Sequence, residues 1–288
     1  MQLLVDTEWL AQHLEEPGLR IFDCSVRLVP NPVTDYDVED CRAQYRAGHI
    51  PGAAYLDLHN DLSDKSTSLR FMMPGKEHFE RAMSQYGVGD KTEVVLYSHG
   101  TYYWATRVWW MLRAMGFDRV RILDGAWKKW TAEGRPVRTG DETYPPASFV
   151  ARPRPGLFVG KEAVKSAIGD GETCILNALT PEQHEGTGGT VFTRPGHITG
   201  SVNVSARELV DPTTNAFLPL EEIRSRFAGA GVLDRDRTIV YCGGGISATG
   251  NAFALTLLGC GNVSIYDGSL NEWGPDASLP METGASGV

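Results

Sequence analysis

The sequence predicts an α/β protein of two similar domains, each a mainly parallel sheet flanked by helices on both faces. Three observations support this prediction. The chain has 288 residues, enough for two domains that each bury a core. Short apolar segments alternate with amphipathic ones, which is typical of strands and helices in a parallel sheet. Three motifs of the first half also return in the second half in the same order, which indicates a duplicated domain.

The first half is predicted to alternate helices and strands in a regular way. A helix begins near Thr7, because threonine is a frequent N-cap and a helical pattern follows it. Apolar runs bounded by turn residues predict the strands, and apolar residues at helical spacing predict the helices. The predicted elements are a strand over 19–24, a helix over 75–86, a strand over 94–97, a helix over 103–115, a strand over 120–123 and a last helix that opens at Asp124.

The repeated motifs lie at a nearly constant separation. The segment Gly48-His49-Ile50-Pro51-Gly52-Ala53 is matched by Gly196-His197-Ile198-Thr199-Gly200-Ser201. A strand ending at Tyr97 is matched by one ending at Tyr241, and Asp124–Trp130 is matched by Asp267–Trp273. The separations range from 143 to 148 residues. A single duplication explains all three matches.

The domain boundary is predicted from proline content. The segment 143–156 holds four prolines and no apolar periodicity, which is typical of a linker. The expected organisation is therefore a first domain over 1–142, a linker over 143–156 and a second domain over 157–288.

Composition limits the possible partners. A net charge of −9 without a basic cluster argues against nucleic-acid binding. We find no apolar run of membrane-spanning length, and the first residues lack the pattern of a secretion signal. The five cysteines do not show metal-ligand spacing, so we expect no metal. Because no apolar run is long enough to span a bilayer, we also expect no membrane association. A cytoplasmic location is the expectation that follows.

Cys242 is the strongest candidate for a reactive residue. It follows a β-branched run over 238–241 that predicts a buried strand, and three glycines separate it from a helix that begins at Ser247. Glycines allow backbone N–H groups to turn inward around an anion, and a helix N-terminus adds partial positive charge. Both effects favour a thiolate over a thiol. The alternative is a small buried cysteine beside an ordinary turn.

The duplication provides an internal comparison for these residues. His49 and His197 occur in both halves, as do Asp124 and Asp267, so a shared structural role is expected for them. Cys242 is not repeated, because Ser98 stands at the matching position without a glycine run after it. The first half is therefore predicted to be catalytically silent. The remaining cysteines, Cys24, Cys41, Cys174 and Cys260, fall on apolar patterns and are expected to be inert.

With these motifs in hand, the whole chain resembles the tandem-domain rhodanese family, which comprises thiosulfate and 3-mercaptopyruvate sulfurtransferases. The N-terminal signature of that family is similar to Tyr45-x3-His49-Ile50-Pro51-Gly52-Ala53, and its C-terminal signature to Tyr266-Asp267-Gly268-Ser269-x2-Glu272-Trp273. Two further segments, Met73-Pro74-Gly75-Lys76-Glu77-His78-Phe79 and Arg107-Val108-Trp109-Trp110, also resemble family sequence. Together these motifs are highly specific.

The resemblance implies that Cys242 accepts a sulfur atom from a donor and holds it as a persulfide. A thiophilic acceptor such as cyanide, a small thiol or thioredoxin would then remove the sulfur. The residues implied to surround the terminal sulfur with their N–H groups are Gly243, Gly244, Gly245, Ile246 and Ser247. No organic cofactor is implied, because a thiolate suffices for this chemistry.

The donor is less clearly indicated by the sequence. The loop 243–247 carries no charge, which is closer to the Cys-Gly-Ser-Gly-Val-Thr loop of mercaptopyruvate enzymes than to the basic loops of thiosulfate enzymes. However, Gly244 replaces the serine of that loop, and Phe71 aligns where that subfamily has a histidine. Gln183, or its neighbour His184, aligns with a donor-binding arginine. Arg194 is the remaining nearby cation, and it is either a donor-binding residue or a solvated surface arginine.

Two other functions are alternatives to sulfur transfer by an enzyme. The cell-cycle dual-specificity phosphatases share the rhodanese-like fold but need an arginine six residues after the cysteine, to hold phosphate with two hydrogen bonds. Ala248 occupies that position, so phosphatase activity is not expected. A non-catalytic sulfur carrier or interaction module derived from the fold is the alternative that stays open.

Overall fold

A computed structural model describes residues 2–31, 35–188 and 192–285. The chain divides into two compact units. The first comprises Met1–Ser66, Met73–Arg154 and Pro212–Phe217, and the second comprises Thr67–Met72, Pro155–Asp211 and Leu218–Val288. Each unit therefore includes one short segment from the other half of the sequence.

The first unit is built on a five-stranded parallel sheet in the order β1-β7-β6-β2-β5. Its elements are β1 (Leu4–Val5), α1 (Thr7–His13), β2 (Leu19–Asp23), β3 (Val26–Asn31), β4 (Asp35–Asp40), α2 (Arg42–Ala47), β5 (Ala53–Tyr55), α3 (Leu58–Asp61), α4 (Lys76–Gln85), β6 (Glu93–Tyr97), α5 (Tyr103–Ala114), β7 (Val120–Leu123) and α6 (Ala126–Ala132).

The second unit has a five-stranded parallel sheet in the order β11-β9-β12-β13-β8. Its elements are β8 (Phe158–Val159), α7 (Lys161–Ala167), β9 (Thr173–Asn177), α8 (Pro181–Glu185), β10 (His197–Ile198), β11 (Val202–Asn203), a 3₁₀ helix (Ala206–Leu209), α9 (Leu220–Gly229), a 3₁₀ helix (Val232–Asp234), β12 (Arg237–Tyr241), α10 (Ser247–Leu257), β13 (Val263–Tyr266), α11 (Ser269–Trp273) and β14 (Met281–Glu282).

The two sheets have the same strand order when the strands are matched by position in each repeat. In both units the central strand ends in a buried tyrosine whose hydroxyl accepts a hydrogen bond from an isoleucine N–H. Tyr97 accepts from Ile50 at 3.3 Å, and Tyr241 accepts from Ile198 at 3.0 Å. The predicted fold of two parallel α/β units flanked by helices is thus confirmed.

Each unit buries a core of its own against its sheet. In the first unit, Ile21, Val95 and Trp130 belong to one fully buried cluster. In the second, Ile175, Ile239 and Trp273 form the corresponding cluster. Burial of side chains of this size stabilises a fold by about 1.5–3 kcal/mol each, so the alternation of apolar strands and helices accounts for both units.

The proline-rich segment is packed against the first unit rather than extended away from it. Residues 143–154 belong to that unit, and Phe149 and Ala151 are buried within it. Its prolines prevent regular secondary structure but leave its side chains free to pack.

An antiparallel hairpin, β3 with β4, was not predicted from the sequence. Its two strands pair from Val26 with Asp40 to Asn31 with Asp35. The strands carry many charged residues, and Arg27 lies 3.5 Å from Glu39 across the pair. A polar ribbon of this kind lacks the apolar signal on which strand prediction depends. Among the described residues, none of the helices combines the length and the apolar character needed to cross a membrane.

Candidate active site

Cys242 lies directly after β12, the central strand of the second sheet. In open parallel sheets, ligands bind beyond the carboxyl ends of the strands, which is where this residue stands. Only 2% of Cys242 is exposed. The sequence placed this cysteine at a strand end, and the structure shows it there.

Hydrogen bonds to backbone carbonyls hold the start of the loop that follows Cys242. The Cys242 carbonyl accepts a hydrogen bond from the Leu270 N–H at 3.0 Å, and the Gly243 carbonyl accepts from the Asn271 N–H at 2.8 Å. Both donors are in the first turn of α11. The Cys242 N–H donates to Ser269 Oγ at 3.2 Å. Three bonds to one short helix therefore fix the backbone at the cysteine.

The hydrogen bonds to the Cys242 and Gly243 carbonyls determine where the N–H groups of the following residues point. In a trans peptide, the N–H and the carbonyl oxygen of one peptide plane point in opposite directions. Because the carbonyls of Cys242 and Gly243 point to α11, the N–H groups of Gly243 and Gly244 point to the opposite side of the loop. Such an arrangement can stabilise an anion held beside the thiol.

The glycines of the loop have specific steric roles. A Cβ atom added to Gly243 would lie 2.5 Å from the ring of Phe192, so no larger side chain fits there without a shift. Gly245 has φ +74°, in the left-handed region that favours glycine. Phe192 thus lies over the loop, a contact that no local sequence pattern predicts.

A long buried helix begins at the end of the loop. Ile246 is the N-cap of α10, and its carbonyl accepts hydrogen bonds from the Thr249 N–H at 3.0 Å and from Thr249 Oγ1 at 2.7 Å. Most of the first two turns of α10 are buried. The positive end of this helix therefore adjoins the loop that follows Cys242.

The matching loop of the first unit has different chemistry. Ser98 stands in the place of Cys242, is fully buried, and donates from Oγ to the Thr101 carbonyl at 2.7 Å. The next residue, His99, lies 3.0 Å from the buried carboxylate of Asp23. Ser25 Oγ donates to that carboxylate at 2.5 Å and accepts from the His99 N–H at 2.8 Å. This loop contains neither a thiol nor a run of glycines.

The Arg194 guanidinium is bonded to backbone carbonyls of its own unit. Its guanidinium donates to the carbonyls of Gly274 at 2.8 Å, Leu279 at 3.0 Å, Trp273 at 3.2 Å and Asp276 at 2.8 Å. These bonds hold the turn after α11 in place. Four of the five guanidinium N–H groups are thereby used, so the structure favours a structural role over donor binding.

Gln183 and His184 also have structural partners. The Gln183 side chain closes a capping box with Thr180 at the start of α8. The His184 ring stacks on that of His197 with centroids 3.7 Å apart, and Asn177 Nδ2 lies 3.1 Å from its Nδ1. Burial, and to a lesser extent His197, lower the pKa of His184 to about 3. His184 is therefore neutral at physiological pH and provides no positive charge for a donor.

The duplicated histidines serve the architecture of their units. His49 Nδ1 lies 2.9 Å from the Tyr45 carbonyl, and His197 Nδ1 lies 2.8 Å from the His184 carbonyl. Both rings are buried. Asp124 likewise accepts a backbone hydrogen bond from Phe217 at 2.8 Å. These contacts agree with the structural role expected for repeated residues.

The other four cysteines are poorly suited to react. Burial raises the pKa of Cys41 and of Cys174 to about 11, and it also raises the pKa of Cys24 and of Cys260. A raised pKa means that little thiolate is present at neutral pH. Among the described residues there is also no group of three or more His, Cys, Asp or Glu that could hold a metal ion.

Two repeated parallel α/β units, of which only one has a cysteine directly after its central strand, define a class of duplicated α/β proteins with one candidate reactive cysteine. Comparison with known proteins places the chain within this class. The rhodanese-like domain family matches residues 6–133 and 161–276, one match in each half. The chain belongs to the rhodanese family, in its tandem form, as its motifs indicated.

Individual relatives extend over nearly the whole chain. It is similar to the 3-mercaptopyruvate sulfurtransferase of Escherichia coli strain K12, with 34% identity over 96% of this chain and 97% of that protein. It is also similar to thiosulfate/3-mercaptopyruvate sulfurtransferase 1, mitochondrial, of Arabidopsis thaliana, with 32% identity over 97% and 78%. The crystal structure of SseA from E. coli, described as a 3-mercaptopyruvate sulfotransferase with the rhodanese fold, matches with a TM-score of 0.81 and 31% identity over 93% and 99%.

Proposed function

We propose that the chain is a rhodanese-type sulfurtransferase in which Cys242 is the catalytic nucleophile. The observation that carries this proposal is the environment of Cys242. The residue directly follows the central strand, carbonyls of its loop are hydrogen-bonded to α11, and α10 begins just beyond the loop. The matching position in the first unit is Ser98, bonded to a carbonyl of its own loop. One unit is therefore equipped for thiolate chemistry and the other is not.

The proposed reaction has two displacements at sulfur. The Cys242 thiolate attacks the transferable sulfur of the donor, the bond from that sulfur to the rest of the donor breaks, and the bond's electron pair leaves with the donor remnant. The enzyme then holds a cysteine persulfide. The acceptor, as a thiolate or cyanide, attacks the terminal sulfur, the S–S bond breaks, and the Cys242 thiolate returns.

Backbone N–H groups are proposed to stabilise the anions in both steps. The groups concerned belong to Gly243, Gly244, Gly245, Ile246 and Ser247. Thiolate and persulfide are both anionic, and N–H groups fixed before the reaction stabilise developing charge without reorganising. The fastening to Leu270 and Asn271 supports this role, because it holds the loop in one conformation.

3-Mercaptopyruvate is our proposed donor, and thiosulfate is the alternative. The loop 243–247 is uncharged, Arg194 is bonded to carbonyls, and His184 is neutral. A dianion such as thiosulfate depends more on nearby cations than a singly charged carboxylate does. The relatives include proteins named for each donor.

A small thiol, thioredoxin or cyanide would accept the sulfur, with no cofactor, no nucleic acid and no membrane involved. All five cysteines are free thiols, which supports a reducing compartment such as the cytoplasm.

We propose a silent domain over 1–142 and a catalytic domain over 157–288, with 143–156 as the connection.

Steady-state rates with the two donors at equal concentration, and cyanide as acceptor, test this assignment. The proposal predicts multiple turnovers, with a higher kcat/KM for 3-mercaptopyruvate than for thiosulfate. A higher value for thiosulfate would reverse the donor assignment. A protein that takes up one sulfur atom without turning over would instead be the non-catalytic carrier, the alternative function.

A further inference from the structure

The side chain of Ser269 holds the peptide group that precedes the Cys242 thiol. Ser269 is the first residue of α11 and is fully buried. Its Oγ accepts a hydrogen bond from the Cys242 N–H at 3.2 Å and donates one to the Tyr266 carbonyl at 2.7 Å. Because the hydroxyl proton is used on Tyr266, a lone pair of the oxygen is left for the Cys242 N–H.

This hydroxyl joins the ends of two neighbouring strands. The pairing of β12 with β13 extends as far as Val240 with Ile265. Tyr266 is the last residue of β13, and Cys242 directly follows β12. Ser269 Oγ connects the carbonyl of the first to the N–H of the second. A side chain therefore links the two strands just beyond their last paired residues.

Both peptide groups that flank Cys242 are held by the same short helix. The N–H of the preceding peptide group is bonded to Ser269 Oγ, and the carbonyl of the following one accepts from the Leu270 N–H at 3.0 Å. Because peptide groups are planar, holding both of them restricts the two backbone torsions of Cys242. The direction of the Cα–Cβ bond that carries the thiol is therefore set by α11.

The first unit has the matching turn without the hydroxyl. Ala126 is the first residue of α6 and corresponds to Ser269 in the repeated motif. The Trp127 N–H, which corresponds to that of Leu270, donates to the Ser98 carbonyl at 3.5 Å, longer than the bond in the second unit. A methyl group cannot accept a hydrogen bond, so Ala126 provides no counterpart of the Ser269 bridge.

The backbone at these two matching positions has the same unusual conformation. Ser269 and Ala126 both have φ +49°, and among the described residues only four that are not glycine have positive φ. This conformation is unfavourable for a residue with a Cβ atom. Because both units adopt it, the strained turn belongs to the fold. The hydroxyl occurs only in the unit that carries Cys242.

We propose that Ser269 is a positioning residue for sulfur transfer by Cys242. The proposal rests on the proposed function and adds a residue that acts through the backbone of the cysteine. With its N–H bonded to Ser269, Cys242 keeps its thiolate aligned with the donor sulfur, and an aligned nucleophile reacts faster. Without the hydroxyl, the peptide group before the cysteine can turn, and the thiolate is displaced with it.

Ser269→Ala removes the hydroxyl and keeps the strained backbone, which Ala126 shows to be compatible with alanine. The measurement is the rate constant of persulfide formation in a single turnover with 3-mercaptopyruvate. At saturating donor it should fall at least tenfold, because a displacement of about 1 Å can cost 10²-fold. The donor concentration that gives half the maximal rate should change less than twofold. Partial unfolding would lower the amplitude of the reaction and leave the rate constant unchanged.

Ser269→Gly separates positioning from stability. This variant also lacks the hydroxyl, but glycine adopts positive φ without steric cost, so its midpoint of urea unfolding should lie above that of Ser269→Ala. Its rate constant should still be as low as that of the alanine variant. If the glycine variant regains the parent rate constant along with its stability, Ser269 has a structural role only and the proposal is wrong.

Ala126→Gly is the matched control in the first unit. It relieves the same strained φ and should raise the midpoint of urea unfolding. The rate constant of persulfide formation at Cys242 should stay at the parent value. A tenfold loss in this variant would show that any change in these turns slows the reaction, and it would overturn a specific role for Ser269.

Hydrogen exchange tests the contact itself. The amide of Cys242 should exchange faster in both Ser269 variants than in the parent, because its acceptor is lost. Unchanged exchange would contradict the bridge on which the proposal depends.

The same single-turnover experiment distinguishes this proposal from the proposed function. A parent chain that forms no persulfide on Cys242 would overturn the sulfurtransferase assignment and this role with it. A parent that forms the persulfide no faster than Ser269→Ala and Ser269→Gly would overturn the positioning role alone.

Discussion

At the scale of single residues, the site depends on backbone geometry more than on charged side chains. Cys242 is placed by a strand, and its loop is held by hydrogen bonds to the first turn of α11. The nearby candidates for positive charge are otherwise engaged, because Arg194 binds carbonyls and His184 is neutral. The chemistry of the site is therefore expected to be sensitive to small steric changes in the loop.

Gly243→Ala tests the steric limit at the loop. The new methyl group would meet the Phe192 ring at 2.5 Å, so the loop or the ring must move. We expect kcat/KM to fall at least tenfold, since a shift of about 1 Å at a reacting group can cost 10²-fold. Steady-state kinetics measure the loss. Adding Phe192→Ala should restore part of it, and the control Gly261→Ala, which meets nothing within 4 Å, should be neutral.

Arg194→Ala separates a structural role from donor binding. The substitution removes four hydrogen bonds to carbonyls of the turn after α11. We expect the free energy of unfolding to fall by about 2–4 kcal/mol, since each bond contributes about 1 kcal/mol. Denaturant titration measures this loss, while the donor KM of the folded variant should change less than twofold. A tenfold rise in KM at unchanged stability would instead assign Arg194 to donor binding.

The lowered pKa of His184 predicts that the protein loses stability in acid. Its pKa is about 3 in the folded protein against about 6.5 when unfolded, so below pH 6.5 the unfolded chain binds a proton that the folded chain does not. Its stabilising contribution is complete above pH 6.5 and declines as the pH falls towards 3. By pH 4.5 the loss is about 2–3 kcal/mol.

The measurement is the pH dependence of denaturant unfolding for the parent chain and for His184→Gln. The variant should show a flatter profile between pH 6.5 and 4, whatever its stability at pH 7. Equal slopes for the His184→Gln variant and the parent would refute this assignment.

At the scale of secondary-structure elements, apolar periodicity predicted most of the fold. The strand over 120–123 has the predicted bounds, and the helix predicted over 75–86 is α4, Lys76–Gln85. The pattern also placed α10 at Ser247. Local side-chain patterns are sufficient for these elements because each presents a clear apolar face to its sheet.

Elements without an apolar face could not be predicted from apolar periodicity. The hairpin of β3 and β4 pairs polar strands, and residues 143–154 pack on the first unit without secondary structure. Phe192 and the bonds of Arg194 depend on long-range contacts that no local pattern encodes. The position of the cysteine was predictable, but its surrounding side chains were not.

Tyr144→Phe tests whether the proline-rich segment stabilises the first unit. The variant keeps the ring but removes the hydroxyl that bridges Ile21 and Gly52. We expect a loss of about 1–3 kcal/mol in the free energy of unfolding, since both backbone groups lose a partner. Hydrogen exchange should also become faster at the Ile21 amide and stay unchanged at Ile175, its counterpart in the second unit. Unchanged exchange at Ile21 would contradict the role of the bridge.

At the scale of the whole molecule, the two units share one duplicated fold but differ in the loop after the central strand. Both units keep the sheet order, the terminal tyrosine of the central strand and the buried histidine. They differ at the loop after that strand, where one has Cys242 and glycines and the other has Ser98 and a His99 ring that lies 3.0 Å from the Asp23 carboxylate.

The central claim is that sulfur passes through Cys242 alone. Mass spectrometry after a single turnover with 3-mercaptopyruvate, without acceptor, tests it most directly. The account predicts that the peptide containing Cys242 gains the mass of one sulfur atom, that cyanide removes it, and that Cys242→Ser abolishes the gain. Sulfur found on another cysteine, or full turnover by the Cys242→Ser variant, would contradict it.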